Sequence, residues 1–163
     1  FMMRDFGIKD SESVEYIAPN AKMDEFRAAM GLCNLRRVDS DIEKRKIIIE
    51  KYRELLGTNG AIEFLNNQPD VKQNNAYLPI TLTAKSTITR DDLVDKLKGN
   101  NIFVRKYFYP IVTAFDCYKG QYNAIDTPIA LDVSNRVITL PLYPDLTMQG
   151  IEKVCEKIEE LVR

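Results

Sequence analysis

The stretch Ala76-Tyr77-Leu78-Pro79-Ile80-Thr81-Leu82-Thr83 decides the fold class. Leu78, Ile80 and Leu82 point one way and Thr81 and Thr83 the other, the period of a strand with one buried face. Pro79 has no N–H to give, so the strand is expected at a sheet edge or with that position unpaired. A helix follows at once. Thr89 is its N-cap, Asp92 stands at N3, and Ile88 is placed to staple onto Leu93. Leu93, Val94 and Leu97 face inward until Gly99-Asn100-Asn101 breaks the helix, and Ile102-Phe103-Val104-Arg105 reads as a second strand.

Upstream, Asp24 caps a helix running to about Arg37, with Phe26, Ala29, Met30 and Cys33 as its expected buried face. Ala28, Ala29 and Gly31 are small enough for another backbone to come close. A second helix is expected from Ser40, with Ser40 and Glu43 as a capping box. Its stripe is Ile42, Ile48, Ile49, Tyr52, Leu55 and Leu56, and Gly57 stops it. Residues 57 to 75 read as a loop. Downstream, 106 to 146 is irregular and aromatic-rich, with a short helix over Thr127 to Asn135 and a third strand over Arg136 to Thr139. Thr147 caps the last helix, Leu146 can staple to Ile151, and Ile151, Val154, Cys155, Ile158, Leu161 and Val162 make a continuous stripe. Together these elements predict an α+β fold, a small, largely antiparallel sheet with helices packed on one face.

Of the chain's 163 residues 45% are hydrophobic and 29% charged, with 23 basic and 24 acidic side chains. One compact domain is the expectation at that length. Near-neutral charge leaves no electrostatic footprint for nucleic acid or an anionic membrane. There is no histidine, which removes His-based triads, His metal ligands and a His pH switch. Cys33, Cys117 and Cys155 are too few and too far apart for a disulfide framework or a zinc site, and are expected to be reduced and mostly buried. No apolar run approaches a membrane span. The first residues, Phe1 to Gly7, lack the regions of a signal peptide, so a cytoplasmic protein is expected.

Few residues carry chemistry by type and spacing alone. Asp91 and Asp92 form an acidic pair in a helix first turn, where they offset the positive end of the dipole. Arg105-Lys106 precedes Tyr107-Phe108-Tyr109-Pro110. Such interleaving either stacks on a base and contacts a phosphate, or is an aromatic anchor with a snorkelling cation. Asn20-Ala21-Lys22-Met23, just before a helix, is either an anion site or a plain loop. No phosphate loop, metal cluster or nucleophile elbow is present.

Three segments resemble one family, the DegT/DnrJ/EryC1/StrS sugar aminotransferases. Asn20 to Leu32 is similar to its N-x-(K/R)-M-x-E-x-Q-A-A-x-G-L segment. Arg105-Lys106-Tyr107-Phe108-Tyr109-Pro110 is similar to its R-R-Y-F-Y-P, and Val137 to Thr147 to its V-L-x-L-P-L-Y-P-x-L-T. They occur in family order and span essentially the whole chain. The resemblance implies the C-terminal small domain of a fold type I, pyridoxal-phosphate (PLP) enzyme of polysaccharide biosynthesis. Such enzymes pass an amino group, usually from glutamate, to a nucleotide-linked keto-sugar.

In that family the Schiff-base lysine and the aspartate on the pyridine nitrogen belong to a large domain preceding the N-x-(K/R)-M segment. Phe6-Gly7 resembles the R-N-F-G stretch that follows the lysine region, and nothing around Lys9 matches the lysine segment. The large domain is therefore expected to lie outside residues 1–163, which form the C-terminal domain, inactive alone and with no catalytic residue of its own. The resemblance places Asn20 on the cofactor phosphate of a neighbouring subunit. Lys22 would reach a phosphate or the sugar nucleotide, and Tyr107, Phe108 and Tyr109 would line the substrate entrance. No metal is implied. The expected partners are the large domain or a dimer mate, with self-association through the first helix. Arg27 stands where Gln is frequent, and Ile111-Val112-Thr113 where many members have a histidine. That form is most similar to members acting on 4-keto-6-deoxyhexose nucleotides. The alternative is a non-enzymatic nucleotide- or protein-binding module that kept the small-domain fold.

Overall fold

The computed structural model describes residues 4–66 and 68–163. Phe1 to Met3, part of the Phe1–Gly7 stretch read above for a signal peptide, and Asn67, in the 57–75 loop, lie outside the described residues. The chain divides into two compact units, Phe1–Asp39 and Ser40–Arg163.

In the first unit a short antiparallel hairpin joins β1 (Ile8–Asp10) and β2 (Ser13–Val14). Gly7 opens it with φ +75°, and a Cβ there would lie 1.7 Å from the Tyr16 carbonyl oxygen, so only glycine fits. Helix α1 (Glu25–Leu35) follows, and Asp24 caps it as expected by accepting a hydrogen bond from the Arg27 N–H at 2.9 Å. The expected buried face is not buried among the described residues. No α1 residue is buried; Phe26 is 89% exposed, Met30 64%, and Ala29 and Cys33 are also exposed. Gly31 has nothing within 4 Å of a Cβ position.

Helix α2 (Val38–Leu56) starts two residues before Ser40, so the expected Ser40/Glu43 box is inside the helix and not at its cap. Only the two-residue turn Arg36-Arg37 separates α1 from α2, which leaves no room for a later start. In the second unit Ile48, Tyr52 and Leu56 of α2 are buried as the stripe requires, with Ile49 and Leu55 half-buried against them. The Tyr52 hydroxyl donates to the Pro141 carbonyl at 3.1 Å, and burial pushes its pKa up.

The sheet has three antiparallel strands in the order β3 (Ile62–Phe64), β4 (Pro79–Leu82), β5 (Val137–Thr139). β3 lies in the stretch read as loop; at three residues it is too short to show a period. β4 is central and not an edge strand, so of the two expectations for Pro79 the unpaired position is the one that holds. The ladder explains why proline is tolerated there. Thr83 donates to the Ala61 carbonyl and Leu140 donates to the Leu78 carbonyl. Odd positions therefore bond toward β3 and even ones toward β5. Pro79 turns its missing N–H toward β3, past the last pair, Phe64 with Ile80. The expected strand at 102–105 is a single bridge, Arg105 to Thr139.

Residue parity also separates the two sheet faces. Ile62, Ile80, Leu82 and Ile138 join one core with α2, α3 (Arg90–Gly99) and α5 (Met148–Val162). α3 contributes Leu93 and Leu97; α5 contributes Ile151, Val154, Cys155, Ile158 and Val162. Thr89 and Thr147 cap these helices, accepting from the Asp92 and Gly150 N–H groups. The odd positions Pro79, Val137 and Thr139 face the other way, where α4 (Pro128–Arg136) packs and Arg136 donates to the Leu82 carbonyl at 2.8 Å.

The cysteines are all free, but only Cys155 is buried; Cys33 and Cys117 are exposed, against expectation. Burial pushes the Cys155 thiol up to about 12, so almost none of it is thiolate at neutral pH. A disulfide-exchange reagent at neutral pH should label Cys33 and Cys117 rapidly and Cys155 only on unfolding. Fast labelling of all three in the native chain would contradict this core.

Candidate functional site

The aromatic segment leaves the sheet at the Arg105–Thr139 bridge, where the Arg105 N–H donates at 3.3 Å and its carbonyl accepts at 2.9 Å. From there its side chains part. Tyr107 stacks on Phe108 with ring centres 4.0 Å apart and meets Tyr77 at 4.7 Å. A hydrogen bond with the Tyr77 phenol, with some desolvation, raises the Tyr107 pKa. The Tyr107–Phe108 and Tyr109–Pro110 peptide bonds are cis. Tyr77, Tyr107 and Phe108 line a cleft of about 390 Å³ on the odd face of the sheet, closed by Ile111 and by Ala130 and Val133 of α4. Its walls are almost wholly apolar and Phe108 is 71% exposed. Such a surface stacks on a flat or apolar group.

Lys106 and Tyr109 turn instead toward α3. Lys106 pairs with Asp91 at 2.8 Å, and the same carboxylate oxygen takes the Arg90 Nε at 2.5 Å. The Arg90 guanidinium lies 4.4 Å from the Tyr109 ring centre and donates to the Ser134 carbonyl at 2.8 Å. Arg90 is 4% exposed. The anchoring and stacking readings of the segment thus describe different residues: Lys106 and Tyr109 anchor, while Tyr107 and Phe108 line the cleft. Asp91 does more than offset a helix dipole, since two cations share it.

Asn20 and Lys22 belong to the first unit. The Asn20 backbone bridges Asp5, and the Lys22 ammonium pairs with the Asp5 carboxylate at 2.5 Å and lies 4.8 Å from the Phe6 ring centre. Both residues are exposed. Asp24 places its own carboxylate on the first turn of α1, which competes with an anion there. Arg90, Tyr77 and the α4 residues were not found from the sequence. Nothing near Arg90 in sequence signals its burial, because its carbonyl acceptors lie 44 and 47 residues away. Tyr77 carried a signal, an aromatic at the start of the strand opposite the segment.

The DegT/DnrJ/EryC1/StrS aminotransferase family profile matches residues 1–159. The chain belongs to this family. A dTDP-4-amino-4,6-dideoxy-D-glucose transaminase of Escherichia coli is 39% identical over 155 residues, 93% of this chain and 42% of the relative. A GDP-perosamine synthase of Escherichia coli O157:H7 is 28% identical, over 90% of the chain and 38% of the relative. The crystal structure of S. venezuelae DesV in complex with a ketimine intermediate superposes with a TM-score of 0.88 at 22% identity, over 99% of this chain and 43% of that one. The fold is that of the small C-terminal domain of fold type I aminotransferases. The chain spans about two fifths of the length of the curated family members it matches. Among the described residues no helix is long and apolar enough to cross a membrane, and no His/Cys/Asp/Glu group could hold a metal.

The Asp91 contacts make a pH prediction for this family member. The Lys106 hydrogen bond first, then Arg90, holds its carboxyl below the ordinary 3.8. A depressed pKa stabilises the fold above the unfolded value, and that contribution is lost as pH falls through the folded value. Asp91→Asn should be less stable than the wild type in urea near pH 7. The gap should close below about pH 4. A gap that persists unchanged in acid would exclude the ion pairs as its source.

Proposed function

We propose that this chain is the C-terminal part of a PLP-dependent aminotransferase that moves an amino group from glutamate to a nucleotide-linked keto-sugar. The observation that carries the reading is the aromatic cleft. The segment similar to the family's R-R-Y-F-Y-P puts Tyr107 and Phe108 together on Tyr77 and closes them with α4. In this role Tyr107 and Phe108 receive the apolar faces of the sugar nucleotide. Tyr109 serves the entrance from behind, through Arg90 and Lys106. The names of the E. coli relatives support a dTDP- or GDP-linked 6-deoxyhexose as substrate.

PLP, when bound, supplies an electron sink for the amino-group carbon. This chain fits it only as a rim. Asn20 has an exposed carboxamide that can donate to the cofactor phosphate, and Lys22, held by Asp5 beside it, adds a positive charge within reach of a phosphate. The lysine that carries the cofactor and the aspartate on its ring belong, in this reading, to the large domain. The exposed apolar face of α1 is the natural contact for that domain or for a dimer mate.

The chain mixed with PLP, glutamate and dTDP-4-keto-6-deoxyglucose should give no turnover and no change in the PLP spectrum. Turnover by the chain alone would overturn the reading. Grafted in place of the matching segment of the E. coli transaminase, the chain should support transamination of that sugar nucleotide. Phe108→Ala in the graft should raise KM about tenfold, the loss of one stacking contact. In sedimentation the isolated chain should self-associate, and Phe26→Asp with Met30→Asp should shift it toward monomer.

A further inference from the structure

We propose that a second cleft, across Tyr77 from the aromatic one, binds a neutral sugar ring. It measures about 360 Å³ and lies between α2 and the asparagine-rich loop before β4. Its lining includes Arg53, Asn66, Gln68, Gln73, Asn74 and Tyr77. The proposal does not rest on the aminotransferase reading.

Two asparagines build the wall. The Ala76 N–H donates to Asn74 Oδ1 at 3.1 Å, and Arg45 Nη2 on α2 donates to the Asn74 carbonyl at 3.1 Å. Asn75 Nδ2 donates to the Ile42 carbonyl at 3.3 Å. Because Ile48, Tyr52 and Leu56 seat α2 on the core, these bonds fix the loop to a rigid element. Asn66, Gln68 and Gln73 add carboxamides that make no hydrogen bond among the described residues. Each offers one acceptor and two donors, the pattern that adjacent ring hydroxyls satisfy, since a hydroxyl both donates and accepts.

The charge inventory selects a neutral ligand. Among the described residues that line the cleft there is no carboxylate, and the one cation, Arg53, is already engaged. Its Nη2 donates to the Leu65 carbonyl at 2.7 Å and its guanidinium lies 4.9 Å from the Phe64 ring centre. A phosphate would find dipoles and one occupied guanidinium, not the convergent cations that offset its desolvation. Tyr77 is 55% exposed at the rim, a flat surface for the C–H face of a sugar. Its ring also meets Tyr107 at 4.7 Å, so an occupant pressing on Tyr77 is felt in the aromatic cleft.

Methyl α-D-glucopyranoside and methyl α-L-rhamnopyranoside, titrated into the ¹⁵N-labelled chain, test this. Saturable shifts are expected at Gln73, Asn74 and Tyr77, with smaller ones at Tyr107. Asn66→Ala with Gln73→Ala should weaken binding about tenfold, the loss of one or two neutral hydrogen bonds. Saturation transfer from aromatic protons to the sugar C–H protons reads the same site without substitution. The proposal fails if neither glycoside gives saturable shifts and transfer, or if the double variant binds as well as the wild type. It also fails if glucuronate or inorganic phosphate binds more tightly than both glycosides, which would make Arg53 the centre of an anion site.

Discussion

The guanidinium of Arg90 ties together the parts of the second unit that carry its aromatic cleft. It starts α3, donates into the last turn of α4 at Ser134, pairs with Asp91 and stacks on Tyr109. Its group is 4% exposed, and burying a charge without partners is costly. Here the contacts to Ser134 and Tyr109 also tie α3 to two other parts of the chain. Removing Arg90 would leave the Ser134 carbonyl and the Tyr109 ring without their partner at once, so its loss costs more than any single bond suggests. Lys106 cannot substitute, because an ammonium lacks the planar fork that serves the carbonyl, the carboxylate and the ring together.

This clamp matters for the cleft because of where the aromatic segment is held. Arg105 is fixed by the sheet and Tyr109 by Arg90, so Tyr107 and Phe108 are held from both ends. Their surface is exposed and apolar, and a free loop would bury it by collapsing. The sheet supplies the opposite wall through parity. Even positions of β4 and β5 fill the core under α2, α3 and α5, while odd positions face the cleft. A one-residue slip of β5 would move Val137 and Thr139 into the core and Ile138 into the cleft. The core thus sets the register that shapes the cleft.

What was legible in the sequence follows from the range of the interactions involved. Caps at Asp24, Thr89 and Thr147 depend on residues three apart, and all three were found where the pattern put them. The stripes of α2 and α5 report their own faces and were also found. β3 pairs through three residues, and the 102–105 segment through one bridge, so neither length nor period could tell strand from loop. For Pro79 the second of the two expectations holds: its strand is central, but the side its missing N–H faces is unpaired at that position, and only strand order decides between the two. Word-level resemblance grouped Tyr107, Phe108 and Tyr109 in one segment, of which Tyr107 and Phe108 line the aromatic cleft. The resemblance could not separate those two from Tyr109, since the separation is made by Arg90, which reaches Tyr109 and Ser134 from elsewhere in the chain.

Helix α1 shows where periodicity stops. Its apolar residues repeat as a buried face does, yet Phe26, Met30 and Leu35 are all largely exposed. An amphipathic pattern records that some apolar surface covers a face; it does not say that the covering surface belongs to the same chain. The local signals of α1 are complete, with a carboxylate cap and small residues at Ala28, Ala29 and Gly31. A helix of eleven residues is marginal on propensity alone, and most helical stability in proteins comes from packing an apolar face. Its stripe therefore has the composition of an interface, and covering it would stabilise α1 together with the Asn20–Lys22 segment that leads into it.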